Sequence, residues 1–177
     1  MQGSEPSGTP GAVPGPAATP RAQRPANQRG AARLAAVQAL YQMDIGATPI
    51  EDVIAEFQTW RFGQELDGAT YIAADPDFFR DIVTGVVRDQ MRLDPAIHEA
   101  LAADWPLVRI DVTLRAILRA ATHELISRTD IPARVVISEY IDVAKAFFAA
   151  DEPRIVNGVL DTLSRKLRPR EFAEAAR

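Results

Sequence analysis

Apolar side chains recur at every third or fourth position through most of the chain, with polar residues between them. This spacing places the apolar residues on one side of a helix, so it predicts amphipathic helices around a shared core. The pattern predicts seven helices and no sheet, over residues 29–45, 50–60, 76–91, 95–105, 108–128, 132–148 and 154–167. Because the connections are short, neighbouring helices should run antiparallel as bundles in an all-α fold.

Three of the predicted helices begin with a cap followed by a proline. Thr48, Asp75 and Asp94 each precede a proline in the sequence. A short polar side chain accepts a hydrogen bond from the first turn, and proline suits that turn because it has no amide hydrogen. Thr48 and Glu51 also have the spacing of a capping box. Residues 62–74 are predicted to form a loop.

The segment around Asn157-Gly158 has two interpretations. Asn-Gly between apolar residues is a strong hairpin signal. A hairpin needs further strands to pack on, and the chain offers none. Apolar residues also continue at every fourth position from Ile155 to Leu167. We therefore predict a helix, in which Gly158 allows a neighbouring helix to approach closely.

The two ends of the chain differ from the middle. Residues 1–28 hold six of the 13 prolines, four of the ten glycines and no aromatic residue. Such a segment buries too little apolar surface to offset the entropy of ordering. We predict a disordered tail there, a helical domain over 29–168 and a short polar tail over 169–177. No apolar run approaches the roughly 20 residues of a membrane span, so we expect a cytoplasmic protein without a membrane partner.

The net charge of −4 is unevenly distributed. Residues 1–33 carry four arginines and one glutamate, which gives +3 and leaves −7 for the rest. An acidic protein is not a general nucleic-acid binder, but clustered arginines suit phosphate groups. Any contact with nucleic acid should therefore be confined to a small region.

No pattern of catalytic or metal-binding residues is complete. The chain has no cysteine, which excludes disulfides and thiolate metal sites. His98-Glu99 and His123-Glu124 each begin a zinc-binding pattern, but neither continues to a second histidine. No phosphate-binding glycine loop or nucleophile motif occurs. We expect no catalytic residue, no metal and no cofactor.

The predicted helix over 108–128 has assignable faces. Two ion pairs with the i, i+4 spacing should lie on its outer surface, formed by Asp111 with Arg115 and by Glu124 with Arg128. His123 should lie beside the apolar stripe and make an ordinary hydrogen bond.

The first predicted helix carries groups that suit RNA. Arg24, Arg29 and Arg33 lead into it, and Gln38 and Tyr41 follow on its next turns. Arginines bind phosphates, while an aromatic ring stacks on an unpaired base and an amide hydrogen-bonds to it. The residues also allow a second interpretation, in which the first turn is merely solvated and Tyr41 is a core aromatic.

Several short motifs, in one order, resemble the NusB family of bacterial transcription antitermination factors. The first is Ala-Val-Gln-Ala-Leu-Tyr after an arginine-containing start, over residues 36–41. The others lie at 79–86, 93–97, 118–125, 130–132, 136–139, 144–145 and 156–161. Each motif is short, but their shared order over most of the chain is specific.

The resemblance implies a fold of two three-helix bundles and no enzymatic activity. It also implies binding to the boxA element of ribosomal RNA leader transcripts, together with a small-subunit ribosomal protein called NusE in this role. Other Nus factors and RNA polymerase would complete the assembly, which suppresses premature termination and supports rRNA synthesis.

The RNA-contacting positions of the family can be carried over one residue at a time. By this resemblance the contacts would include Arg29, Arg33, Tyr41, Arg119, Asp151 and Ile155. The chain departs from the family at Gly30 and Ala31, where more arginines are usual, and at Ile155, where an aromatic is usual. Ser138 and Phe148 also replace a typical asparagine and glycine. Arg21 and Arg24 of the tail are candidates for restoring the missing charge.

Two alternatives remain beside this interpretation. One is a helical protein-interaction module, homodimeric in one version, that does not bind RNA specifically. The other is a relative of the N-terminal domain of an rRNA cytosine methyltransferase. That enzyme would continue into a large cofactor-binding domain, and we find no such segment in this sequence.

Overall fold

The computed structural model describes residues 25–62, 65–66, 69–70, 73–102, 105–149 and 151–173. The helices are α1 (Pro25–Gly46), α2 (Ile50–Glu56), α3 (Pro76–Ala100), α4 (Val112–Ser127), α5 (Ala133–Phe147), α6 (Glu152–Leu167) and α7 (Pro169–Ala173). A π-helical turn, Phe57–Arg61, continues α2, and a 3-10 turn, Leu107–Arg109, precedes α4. In the predicted loop, β1 (Glu65–Leu66) and β2 (Ala69–Thr70) form a two-residue antiparallel ladder.

The helices form two groups of three that meet along α4. α1, α2 and α3 pack against one another, as do α4, α5 and α6, while α1 and α3 also pack on α4. Almost every side chain of α4 between Leu114 and Leu125 is consequently buried. The predicted all-α class and pair of three-helix bundles are confirmed. No described helix is both long and apolar enough to cross a bilayer.

The described residues form seven helices, as many as predicted, but the middle of the chain is divided differently. α3 is continuous through Pro95, where the prediction began a new helix at Asp94. Pro95 removes one backbone hydrogen bond, but Leu93 and Ile97 on either side of it are fully buried, so packing maintains the helix. The carboxylate of Asp94 caps nothing and accepts two hydrogen bonds from Arg119 instead.

The short helix α7 occupies positions that were predicted as a polar tail. Arg168, just before it, is buried and donates hydrogen bonds to the backbone oxygens of Leu125 and Ile131. Glu171 accepts a hydrogen bond of 2.7 Å from the amide of Ala133. α7 therefore closes the adjoining ends of α4 and α5, so the helical domain extends beyond its predicted boundary.

The N-terminal caps only partly follow the prediction. Asp75 caps α3 as predicted, by accepting a hydrogen bond from the first turn. Thr48 does not cap α2, because Pro49 occupies the N-cap position and no side chain hydrogen-bonds to that turn. Asp111, predicted in a surface pair with Arg115, instead caps α4 by accepting hydrogen bonds from two amides. The first amides of a helix have no partner within it, and the short side chain of Asp111 can reach them. Asp111 therefore caps α4 rather than pairing with Arg115.

Helix α1 begins four residues before its predicted start. It therefore includes residues 25–28, which were predicted as the end of a disordered tail; the rest of that predicted tail, residues 1–24, lies outside the described residues. Proline fits this position because the first turn has no use for its missing amide hydrogen. At the other end of the helix, Ala47 has a φ of 50°, a left-handed conformation that glycine adopts most readily.

Helices α3 and α4 approach each other closely at Gly85. A methyl group at Gly85 would overlap the ring of His123, so the two helices keep this separation only with glycine there. The same role was predicted for Gly158, and that prediction is wrong. A methyl group at Gly158 would meet no atom within 4 Å, because this glycine lies on the exposed side of α6.

The two glycines should respond to alanine in opposite ways. We expect Gly85→Ala to lower the free energy of unfolding by about 1–3 kcal/mol or more, because the methyl group forces α3 and α4 apart. Gly158→Ala is the matched control, and it should raise that free energy by about 0.5–1 kcal/mol through helix propensity. Urea unfolding followed by circular dichroism measures both. Equal effects of the two substitutions would contradict this packing.

His123 is buried rather than at the flank of α4. Its Nδ1 lies 3.3 Å from the Ser127 hydroxyl, the predicted ordinary hydrogen bond, and 3.8 Å from a carboxylate oxygen of Asp89. Its buried Nε2 has no hydrogen-bond partner among the described residues. Burial lowers the pKa of His123, and the negative charges of Asp81 and Asp89 only partly oppose this effect.

Folding stability should therefore fall on mild acidification. The unfolded chain takes up a proton on His123 near pH 6.5, at a higher pH than the folded chain does. The urea midpoint should consequently decline as the pH falls from about 7.5 to 5.5. His123→Gln should flatten this decline, whereas His98→Gln should not, because His98 is the other histidine and is exposed. A midpoint that stays constant over this range would refute the assignment.

Candidate nucleic-acid interface

Arg33 lies at the centre of a buried ion pair. Its guanidinium donates hydrogen bonds of 2.6 and 3.1 Å to the carboxylate of Glu124 and one of 2.8 Å to Glu139. The rings of Phe78 and Tyr140 lie about 5–6 Å from it. Burial disfavours the charge, but Glu124 more than compensates, and the pKa of Arg33 is raised. The cluster ties α1 to α4 and α5.

This geometry corrects two predictions. The Arg33 side chain is 3% exposed, and its donors are already used, so it is not available to a phosphate. Glu124, predicted on the outer surface with Arg128, is fully buried beside Arg33. The spacing contained a signal for this, because Arg33, Val37 and Leu40 share the apolar face of α1. We therefore remove Arg33 from the candidate interface.

Arg33 and Arg29 should differ sharply in their effect on stability. Removing one partner of a buried ion pair leaves an uncompensated charge, so Arg33→Met should cost about 3–5 kcal/mol of unfolding free energy. Arg29→Met is the matched control and should cost at most about 1 kcal/mol. Urea titrations of the two variants provide the comparison. Similar, small losses would show that Arg33 is not held as described.

Arg29 remains a candidate for binding phosphate. It is half-buried on the first turns of α1, with its guanidinium carbon 5.1 Å from the centre of the Phe78 ring. Arg128 stacks on the same ring at 5.0 Å, but it is also paired with Asp81 and Asp130. Arg29 has no ion pair within 4.0 Å in the described part of the chain. Arg24 lies outside the described residues.

Arg119 also proves to be a structural residue. It donates two hydrogen bonds, of 2.7 and 2.8 Å, to Asp94 and one of 3.1 Å to Asp44. Its side chain is only 10% exposed, and the two carboxylates raise its pKa although burial opposes them. These bonds hold α4 to α3 and α1. The prediction that Arg119 contacts RNA is therefore not supported by its position.

Gln38 and Tyr41 line a groove beside α1. Tyr41 is 42% exposed, so the interpretation of it as a core aromatic is wrong. The groove has a volume of about 580 Å³, which lies in the usual range of small-ligand sites. The other lining residues come from α1, the π-helical turn, the start of α4 and the end of α5. They are Val37, Gln42, Ile45, Gly46, Phe57, Arg61, Asp111, Thr113 and Phe147.

The polar side of the groove is held in place by Glu56. One of its carboxylate oxygens accepts a hydrogen bond of 2.7 Å from Gln42, and the other accepts one of 3.0 Å from Arg61. These two hydrogen bonds lower the pKa of Glu56. Sequence reasoning missed Arg61, Thr113 and Phe147, because no local pattern shows that distant segments meet beside Tyr41.

Asp151 and Ile155 lie together in a second groove, separate from the first. This groove runs between the end of α3 and the start of α6, and it also has a volume of about 580 Å³. Ile155 is half-buried in it, and the exposed Trp105 also lines it. Asp151 is exposed, with a carboxylate oxygen 3.6 Å from Arg154. The predicted residues are therefore divided between two sites.

Among the described residues, no three His, Asp or Glu side chains gather in a way that would hold a metal.

Comparison with known families now adds to this geometry. The model of the NusB family matches residues 30–165 of the chain. The chain belongs to the NusB family. This range begins within α1 and ends within α6, so it includes both bundles and both grooves.

Two relatives are close to this chain in sequence. The transcription antitermination protein NusB of Agrobacterium fabrum is 58% identical over 145 residues, which cover 82% of this chain and 88% of the relative. That of Brucella melitensis is 58% identical over 150 residues, covering 85% and 88%. Transcription antitermination is not an enzymatic role, in agreement with the expectation from the sequence.

Solved structures support the fold. NusB of T. maritima superposes with a TM-score of 0.67 at 29% identity, covering 82% of this chain and 96% of that one. A crystal structure of the antitermination factors NusB and NusE in complex with dsRNA gives a TM-score of 0.65 at 22% identity, covering 79% and 98%. At that identity the second likeness concerns the fold alone.

Proposed function

We propose that this NusB-family protein binds boxA-type RNA of rRNA leader transcripts in its unpaired form, together with the ribosomal protein NusE. In this role it suppresses premature termination and supports rRNA synthesis. In this proposal the protein, its RNA and NusE assemble in the cytoplasm with other Nus factors and RNA polymerase. Family membership at 58% identity to antitermination proteins supports the role.

The exposed ring of Tyr41 in the α1 groove carries the RNA-binding part of the proposal. An exposed tyrosine on a rigid helix costs nothing to order and offers a face for base stacking. Gln38 and Gln42 line the same groove and offer amide donors and acceptors to a base edge. Arg29 lies on the same helix with no ion pair of its own in the described part of the chain, and it supplies a phosphate contact. Asp151 and Ile155 are the candidates at the second groove.

The partner proposal has separate support. A related fold has been crystallised as NusB with NusE and dsRNA, which shows that this architecture is compatible with both kinds of partner. The exposed Ile45 and Phe147 beside Tyr41 also suit a protein surface. They are the observation that favours the second candidate function, a protein-interaction module that pairs with another protein or with a second copy of itself.

A titration of RNA onto Tyr41 variants distinguishes these functions. Tyr41→Ala should weaken binding of labelled boxA RNA by about 1–3 kcal/mol, or roughly 5- to 150-fold, because one stacking contact is lost. Tyr41→Phe keeps the ring and should remain close to wild type. Fluorescence anisotropy with boxA and scrambled RNA, with and without NusE, measures the effect. Equal or absent binding of both RNAs would favour the protein-interaction module, which sedimentation would then test.

A further inference from the structure

Part of the wall of the α1 groove is the π-helical turn Phe57–Arg61. In this turn the amide of Phe62 donates to the backbone oxygen of Phe57 at 3.1 Å, five residues earlier. π-helical turns are rare in proteins, and many of those that occur lie at functional sites. Here the turn places Phe57 in the groove as a fully buried floor and Arg61 at its edge.

The side chain of Arg61 is held in one orientation but is only partly used. Its guanidinium carbon lies 4.8 Å from the centre of the Phe57 ring, and one Nη donates to Glu56 at 3.0 Å. The other Nη and the Nε make no hydrogen bond to the described residues, and the side chain is 50% exposed. Arg61 therefore presents two nitrogens with free N–H groups and a positive charge at the half-exposed edge of the groove.

The acidic groups around the groove are each hydrogen-bonded within the protein. Glu56 is engaged on both oxygens by Gln42 and Arg61. Asp111 accepts hydrogen bonds from two amides of α4. The groove thus combines an apolar floor, an aromatic face, amides and one cation with free donors. An unpaired nucleotide needs this combination, because its base is apolar on its faces, polar at its edge and attached to an anionic phosphate.

We infer that Arg61 is a further RNA-binding residue, whose guanidinium contacts the phosphate of the nucleotide that stacks its base on Tyr41. This inference rests on the proposed function. It extends the RNA contact from α1 across the groove to the π-helical turn. It also locates a phosphate contact outside the arginine-rich start of the chain, where Gly30 and Ala31 reduce the positive charge.

The test is a salt titration of boxA RNA binding with the full chain carrying Arg61→Gln. The substitution keeps a polar side chain and removes the charge. Affinity should fall about five-fold, and the slope of log affinity against log salt should decrease in size by about 0.7, as for one lost phosphate contact on single-stranded RNA. Arg134→Gln is the matched control: this arginine is exposed on α5, lines neither groove, and should change neither quantity.

Two further variants separate a lost charge from a disturbed turn. Arg61→Lys keeps the charge and should keep the wild-type slope. A slope reduced as far as in Arg61→Gln would show that the turn had changed, and it would overturn the inference. Glu56→Gln keeps an amide oxygen that can accept the hydrogen bond from Arg61 and removes the negative charge beside the guanidinium, so its affinity for RNA should equal or exceed that of wild type. A several-fold loss of affinity in that variant would also contradict the inference.

The Tyr41 variants keep this inference distinct from the proposed function. If Tyr41→Ala weakens binding while Arg61→Gln leaves affinity and slope unchanged, Arg61 is not a contact and the proposed function stands. If the wild-type chain, with NusE present, does not prefer boxA RNA over scrambled RNA, both are refuted together.

Discussion

The buried ion pair between Arg33 and Glu124 is the constraint on which the arrangement of helices depends. A charge can be buried only if its partner is present at hydrogen-bonding distance, so α1 has one allowed position along α4. Glu139 adds α5 to the same cluster. Once this face of α1 is fixed against the core, Gln38 and Tyr41 lie on a neighbouring face and line the groove. The geometry of the candidate interface is therefore a consequence of the core.

Arginines of very similar appearance in the sequence perform different tasks in the structure. Arg33, Arg119 and Arg168 are buried and hold helices together through carboxylates or backbone oxygens. Arg29 and Arg61 stack on aromatic rings and retain donors for a ligand. An acidic protein with a net charge of −4 attracts RNA only where such cations are left free, so the proposed interface is a focused rather than a diffuse one.

The candidate site was only half accessible to sequence reasoning. Tyr41 and Gln38 were found, because a short motif on one helix contains both. Arg33 was misassigned, because a charged residue on the apolar face was interpreted by its charge rather than by its position. Arg61 and Phe147 were missed, because they are far from Tyr41 in the sequence. Arg61 approaches Tyr41 only when α1 and α2 have packed, and Phe147 only when the two bundles have packed. Asp151 and Ile155 were found through resemblance, but they belong to a second groove.

The sequence by itself determined the all-α class, the approximate position of most helices, the N-terminal cap that Asp75 forms on α3, and the family. These features depend on local periodicity and on short motifs, which are visible along one stretch of chain. Only the tertiary structure decided that α3 continues through Pro95, that Gly85 rather than Gly158 admits a neighbouring helix, and that Arg119 and Arg168 are buried. These outcomes depend on what lies against each residue from another helix, and packing between distant segments leaves no local pattern to read.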